Sequence, residues 1–253
     1  MGSGNRQLLT LLTANCQLPL PTATANCHCQ LPLPLPTATA LFLHKSNFLF
    51  RSVYPEFLWR IDDSEPIIYL TFDDGPIPNV TEFVLEQLDK FAAQATFFCI
   101  GDNVRKHRDV FYQVIEAGHL LGNHTFNHLN GWKTQDDEYL SNIDQCQQQL
   151  GIETALFRPP YGRIKKSQAP HVLANYSVVM WDVLSGDFDP SLAPEVCLRK
   201  TLQYTEPGSI VVFHDSVKAF PTMRYALPRF LRYFAMRGYE FRALPQPVLS
   251  VYE

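Results

Sequence analysis

The chain has 253 residues, of which 46% are hydrophobic and 18% are charged, which is typical of a globular protein with a sizeable core. The formal net charge is −4 and no dense cluster of Lys and Arg occurs, which argues against nucleic acid or an anionic membrane surface as the main partner. No uninterrupted apolar run reaches the roughly 18 residues that a transmembrane helix needs.

Residues 1–45 differ in kind from the rest of the chain. Two near-copies, ANCQLPLPTATA and CHCQLPLPLPTATA, are rich in Pro, Thr and Ala, and their prolines oppose both helix and sheet. We therefore expect a low-complexity, disordered extension at 1–45 and a single folded domain at 46–253. Arg6 and the short apolar run after it are too weak to establish an export signal, so the compartment stays open between the cytoplasm and the cell envelope.

The folded part alternates predicted strands and helices. The apolar run Ile67–Phe72 predicts a strand that ends in the turn Asp-Asp-Gly-Pro. Later predicted elements, in chain order, are a helix at Val80–Phe91, a strand at Ala95–Ile100, a helix at Asp109–Ala117, a helix at Asp136–Leu150, a strand ending near Phe157, a strand at Val178–Asp182, a helix at Pro194–Tyr204, a strand at Ser209–Phe213 and a helix at Met223–Arg237. This alternation predicts an α/β fold with a parallel sheet, either an open sheet or a closed or nearly closed barrel.

Polar residues follow these strands, where both architectures gather functional groups. Taken alone, adjacent aspartates can form a turn, two histidines four apart can lie on a solvated helix face, and a histidine after a strand can be a satisfied core residue. The clusters are Asp73-Asp74 in TFDDGP, His124 and His128 in GNHTFNH, Arg158 in FRPPYG, and His214-Asp215 in VVFHDS.

Together the four clusters indicate metal-dependent hydrolysis. His124 and His128 can project from one helical turn towards one metal ion, and a carboxylate from another loop completes a three-ligand site. Two imidazoles and a carboxylate suit zinc or a similar divalent ion. The other aspartate is then available as a base that an arginine holds charged, and a further histidine can protonate a leaving nitrogen.

In this order and spacing, TFDDGP, HTFNH, RPPYG and FHDS resemble the motifs of the NodB-homology polysaccharide deacetylases, carbohydrate esterase family 4. The strong motifs extend from Tyr69 to His214. The resemblance implies a distorted (β/α)7-type barrel that removes N-acetyl groups from N-acetylglucosamine-containing glycans, such as peptidoglycan or chitin-type oligomers. We expect a monomer whose partner is an N-acetylated glycan.

The resemblance also implies roles for individual residues. Asp73 corresponds to the base, Arg158 to its ion-pair partner and His214 to the general acid. The backbone N–H of Tyr161 is expected to help bind the oxyanion. The implied ligands of a divalent metal, Zn²⁺ or alternatively Co²⁺ or Ni²⁺, are Asp74, His124 and His128.

Three positions depart from the family pattern. Leu184 and Phe188 stand where many members have Asp and Trp, and Phe213 stands where the family often has Leu, a change expected to reshape the acetyl pocket. Asp187 is the candidate to tune the acid histidine in place of the missing Asp. The predicted substrate contacts are Phe188, Asp187, Phe213 and Trp132. Two alternative functions stay open: a metal amidohydrolase acting on a small non-sugar amide, and an inactive carbohydrate-binding homologue, which Leu184 favours.

Overall fold

The computed structural model describes residues 43–62 and 64–246. The predicted extension at 1–45 lies outside the described residues as far as residue 42, whereas its last three residues belong to the fold. Within the described part, no helix is both long enough and apolar enough to cross a membrane.

Strands and helices alternate along the described chain. The strands are β1 (Ile67–Asp73), β2 (Thr96–Cys99), β3 (Leu120–Asn123), β4 (Leu156–Phe157), β5 (Ser177–Val178), β6 (Val183–Leu184), β7 (Ile210–His214) and β8 (Glu240–Arg242). The helices are α1 (Phe48–Val53), α2 (Val80–Asp89), α3 (Gly101–Lys106), α4 (Arg108–Glu116), α5 (Asp136–Leu150), α6 (Ala169–Leu173), α7 (Pro194–Tyr204) and α8 (Phe220–Ala235). Every predicted helix is confirmed to within three residues at either end.

The strands form one parallel sheet in the order β5-β4-β3-β2-β1-β7-β6, and β8 pairs with the first half of β1. All seven residues of β1 are buried, as expected for a central strand covered on both faces, and this explains its continuous apolar sequence. Register pairs Asp73 of β1 with Phe98 of β2 on one side and with His214 of β7 on the other. The polar ends of the strands therefore meet at one edge of the sheet.

The sheet curls so that a segment before β1 bonds both to β5, at one margin of the sheet, and to the residues that lead into β7. The backbone N–H of Leu58 donates to the carbonyl of Val178 at 2.9 Å, and the N–H of Met180 donates to the carbonyl of Leu58 at 2.8 Å. On its other side, the N–H of Ile61 donates to the carbonyl of Gly208, just before β7, at 2.9 Å. Between the open and the barrel alternatives, the structure therefore has the nearly closed barrel.

Residues 43–46 add an antiparallel edge to β6 through backbone hydrogen bonds. This edge is fastened by Asp182, whose carboxylate is fully buried and accepts from Lys45 Nζ at 2.8 Å, from Ser209 Oγ at 2.7 Å and from the Arg51 guanidinium. A buried carboxylate is tolerated only when it is paired, so Asp182 ties the N-terminal segment to the barrel.

The single strand predicted at Val178–Asp182 is wrong. The structure has two short strands there, and they lie at opposite margins of the sheet, because β5 pairs with β4 and β6 pairs with β7. Two carbonyls between these strands, those of Val179 and Met180, accept hydrogen bonds from the buried guanidinium of Arg158 instead of from the backbone of a neighbouring strand.

Candidate active site

Asp73 is the last residue of β1, and Asp74 begins the turn that follows it. Asp215, directly after β7, binds this turn. Asp74 has a left-handed backbone with φ of 87°, and Gly75 approaches Asp215 so closely that a Cβ there would lie 1.9 Å from Asp215 Oδ2. The Asp215 carboxyl group accepts from the Gly75 N–H at 3.0 Å and from Thr81 Oγ1 at 2.6 Å. Burial raises the pKa of Asp215 to about 8. Its anchoring role was not predicted, although its place beside His214 in the sequence is a usable signal.

Asp73 forms a buried ion pair with Arg158, whose Nη1 lies 2.7 Å from Asp73 Oδ1. The Arg158 side chain is fully buried, also donates to Thr71 Oγ1 at 2.8 Å, and stacks 4.1 Å from the centroid of the Phe98 ring. Burial alone would raise the pKa of Asp73, but the adjacent guanidinium outweighs it and holds that pKa below its usual value. Asp73 is therefore kept as a carboxylate.

The two predicted ligand histidines lie on a loop after β3, so their expected placement on one helical turn is wrong. Thr125 and His128 both have left-handed backbones, with φ of 63° and 57°, which a continuous helix excludes. Side chains hold this loop in place of helical hydrogen bonds: Asn142 Oδ1 accepts from the N–H groups of Phe126 and Asn127, both at 2.9 Å. The spacing of four still brings both rings to one place.

Three atoms that can bind a metal converge at this loop, and they belong to Asp74, His124 and His128. His124 Nδ1 donates to the Arg158 carbonyl at 2.7 Å, which leaves its Nε2 as a lone-pair donor for a metal, 3.8 Å from Asp74 Oδ1. His128 Nε2 lies 3.3 Å from the same oxygen. Burial lowers the pKa of His124 and lowers that of His128 to about 4, so both rings are neutral at physiological pH.

Asp74 Oδ1 is buried and accepts no hydrogen bond from the described residues. A negatively charged oxygen facing two neutral imidazoles is costly unless a cation lies between them. The ligand atoms of Asp74, His124 and His128 all lie within 4.8 Å of one another, a separation that suits ligands of one metal ion. The donor set therefore fits the expected divalent ion.

His214 ends β7 and is bound twice by Asp187. Its Nδ1 lies 2.8 Å from Asp187 Oδ1, and its backbone N–H donates to Asp187 Oδ2 at 2.8 Å. Burial alone would lower the pKa of His214, but the Asp187 carboxylate outweighs it and raises that pKa to about 9. Although Leu184 replaces the aspartate that many family members have, His214 still has a carboxylate partner, because Asp187 pairs with it. Asp187 is only 1% exposed and both of its oxygens contact His214, so its predicted contact with substrate is not supported.

The geometry predicts a pH response. If protonated His214 is needed for turnover, activity falls as pH rises through the pKa of that residue, near 9 in the described structure. Asp187→Asn removes the charge that raises this pKa, so we expect the alkaline limb of the kcat profile to move to lower pH. Profiles of wild type and variant, each loaded with the same metal, measure the displacement; coincident alkaline limbs would contradict it.

The remaining predicted contacts divide into surface and core positions. Tyr161 has a left-handed backbone with φ of 61°, is 60% exposed, and places its ring 4.6 Å from that of His128. Trp132 is 59% exposed, and Phe188 is half-buried with its ring 5.0 Å from His214. Phe213, by contrast, is fully buried against Phe230, so its predicted substrate contact is not supported. Alternation along β7 turns Phe213 away from the face that carries His214.

Residues 60–178 match the family model described as polysaccharide deacetylase. The chain is 33% identical over 191 residues to a peptidoglycan-N-acetylglucosamine deacetylase of Bacillus cereus, covering 72% of this chain and 88% of that protein. The chain belongs to the polysaccharide deacetylase family. It is also 30% identical to the chitooligosaccharide deacetylase of Azorhizobium caulinodans, covering 74% of this chain and 96% of that one.

The fold agrees with this family membership. A crystal structure of a peptidoglycan N-acetylglucosamine deacetylase superposes with a TM-score of 0.73 at 27% identity, covering 79% of this chain and 95% of that one. The predicted distorted (β/α)7-type barrel is therefore confirmed: seven parallel strands form its curled path, and β8 supplements β1.

Proposed function

We propose that this chain is a metal-dependent hydrolase that removes N-acetyl groups from N-acetylglucosamine-containing glycans. The observation that carries the proposal is the convergence of Asp74, His124 and His128 at the strand edge where Asp73 and His214 stand side by side. The names of the relatives from Bacillus cereus and Azorhizobium caulinodans support deacetylation of such glycans. The pairing of Asp187 with His214 weakens the alternative of an inactive binding protein.

Asp74, His124 and His128 would hold the metal, which when bound polarises the acetyl carbonyl and lowers the pKa of a water molecule. Asp73 then acts as the base. Its Oδ1 is engaged by Arg158 at 2.7 Å, which leaves Oδ2 to accept the proton of the attacking water. Arg158 keeps the carboxylate charged and oriented before that proton arrives.

His214 acts as the general acid. Its Nδ1 faces Asp187, so Nε2 carries the proton that is given to the departing amine. The Asp187 carboxylate stabilises the imidazolium until the carbon–nitrogen bond breaks. The backbone N–H of Tyr161 is proposed to donate to the oxyanion, an interaction whose loss typically costs about 2.7–4 kcal/mol in comparable enzymes. Acetate and a free amino sugar result.

Acetate release from N-acetylglucosamine oligomers and from peptidoglycan tests this function. We expect release by the metal-loaded protein, loss after chelation, and recovery on adding Zn²⁺, Co²⁺ or Ni²⁺. Asp74→Asn removes the charged ligand, so it is expected to bind the metal at least about 10-fold more weakly, measured by calorimetry, and to require more metal for activity. Asp137→Asn, at the exposed start of α5, is the matched control. Undiminished release by the metal-free protein would contradict the proposal.

A further inference from the structure

Two exposed aromatic side chains, Tyr161 and Trp132, lie on the two loops that follow the metal-ligand histidines and Arg158, and these loops together are called the rim. The ring of Tyr161 packs against His128, and Trp132 follows His128 by four residues on the same loop. Large aromatic surfaces that stay open to solvent beside a catalytic centre are typical of sites that a ligand covers, and sugar rings present apolar faces that stack on them. The rim therefore has surface available for a glycan beyond the reacting sugar.

This rim is held rigid by contacts between two loops. The Gly131 N–H donates to the Arg163 carbonyl at 3.2 Å, and Trp132 Nε1 donates to the Ile164 carbonyl at 3.1 Å. A Cβ on Gly131 would lie 2.5 Å from the Arg163 carbonyl oxygen, so glycine is needed for this close approach. The position of Trp132 is therefore fixed before any ligand arrives.

Arg163 completes the rim with a charge. Its guanidinium carbon lies 5.1 Å from the centroid of the Trp132 ring, and its side chain is exposed. Among the described residues no carboxylate pairs with Arg163; Asp136, in the acidic first turn of α5, bonds instead to Lys165 at 3.2 Å. A planar guanidinium that an aromatic ring holds in place is well suited to bind a carboxylate through two parallel hydrogen bonds.

We propose that Trp132 and Arg163 form a subsite for a carboxylate-bearing sugar, so that the enzyme prefers acidic glycans to neutral ones. Peptidoglycan glycan strands that have lost their stem peptides have this chemistry, because the lactyl group of N-acetylmuramic acid then ends in a free carboxylate, whereas chitin-type oligomers carry none. Trp132 supplies a stacking surface and Arg163 supplies the charge. This subsite rests on the proposed deacetylase function and specifies the substrate class for it.

The test compares kcat/KM for acetate release from two substrates: peptidoglycan glycan strands freed of their peptides, and the neutral N-acetylglucosamine tetramer. For wild type we expect the acidic strands to be preferred, and the preference to shrink as salt rises. Arg163→Gln is expected to lower the ratio of the two kcat/KM values by roughly fivefold, and Arg163→Glu to lower it further, since each step makes the subsite less positive by one charge.

Arg237→Gln is the matched control. Arg237 also stacks on an exposed tyrosine, with its guanidinium 3.5 Å from the Tyr233 ring, but it follows the C-terminal end of α8. We expect this variant to keep the wild-type ratio. An unchanged ratio in both Arg163 variants, or equal losses on both substrates, would overturn the subsite while leaving the deacetylase function standing. Failure of wild type to release acetate from either substrate would overturn both.

Discussion

Changing Asp73 to asparagine is expected to lower acetate release by about 10²–10⁴-fold, the usual contribution of a general base, while one metal ion per chain is still bound. The amide has almost the shape of the carboxylate but cannot accept a proton at the same pH. Because Asp73 contacts Arg158 and is not one of the three converging ligands, its loss leaves the metal ligands in place.

The measurement pairs acetate release with metal stoichiometry on the same preparation. Asp137→Asn, an exposed change of the same chemistry, serves as the control. Because asparagine leaves Arg158 without a countercharge, the assay temperature is set below the melting temperature of the variant. Turnover within tenfold of wild type by a folded, metal-loaded Asp73→Asn protein would remove Asp73 from the role of base.

Changing Arg158 to methionine is expected to lower the free energy of unfolding by about 3–5 kcal/mol, which is the typical cost of removing one partner of a buried ion pair. The loss has several sources. The Asp73 carboxylate is left buried without a countercharge. The carbonyls of Val179 and Met180 lose their hydrogen-bond donors. Thr71 also loses its hydrogen bond to the guanidinium. Denaturant unfolding monitored by circular dichroism measures the change.

The double variant Asp73→Asn, Arg158→Met separates the ion pair from the other contacts. The double variant removes both partners, so neither charge is left buried without a countercharge. We therefore expect its loss of unfolding free energy to be clearly smaller than the sum of the losses in the two single variants. Strict additivity would show that the two side chains do not stabilise each other, and that Arg158 acts through its bonds to the backbone alone.

Local pattern was sufficient to predict the long elements. The helices at Asp136–Leu150 and Pro194–Tyr204 match their predicted bounds at both ends, because each has apolar residues at helical spacing over three or more turns. β8 was missed because only Phe241 among its three residues is buried, and one buried residue does not give a recognisable strand pattern. β5 and β6 were merged into one strand because the sequence does not show that Arg158 uses the carbonyls between them.

The candidate site was predicted as a set of residues, and its contacts were not. Spacing showed that His124 and His128 belong together, but their loop depends on Asn142, which lies in α5 and comes near only in the folded chain. Phe213 and His214 are neighbours in sequence, yet one lies in the core and the other at the site, because side chains alternate along β7. Such distinctions depend on the sheet register, which a single sequence does not specify.

The contacts of the buried Asp182 show that the folding unit begins earlier in the chain than the family match. The family match begins at residue 60, whereas the two cations that neutralise Asp182 come from Lys45 and Arg51. A shortened protein that started at the matched boundary would keep every candidate site residue and still leave that carboxylate without either cation. We therefore expect the folding unit to begin at or before Lys45, ahead of any recognisable deacetylase motif.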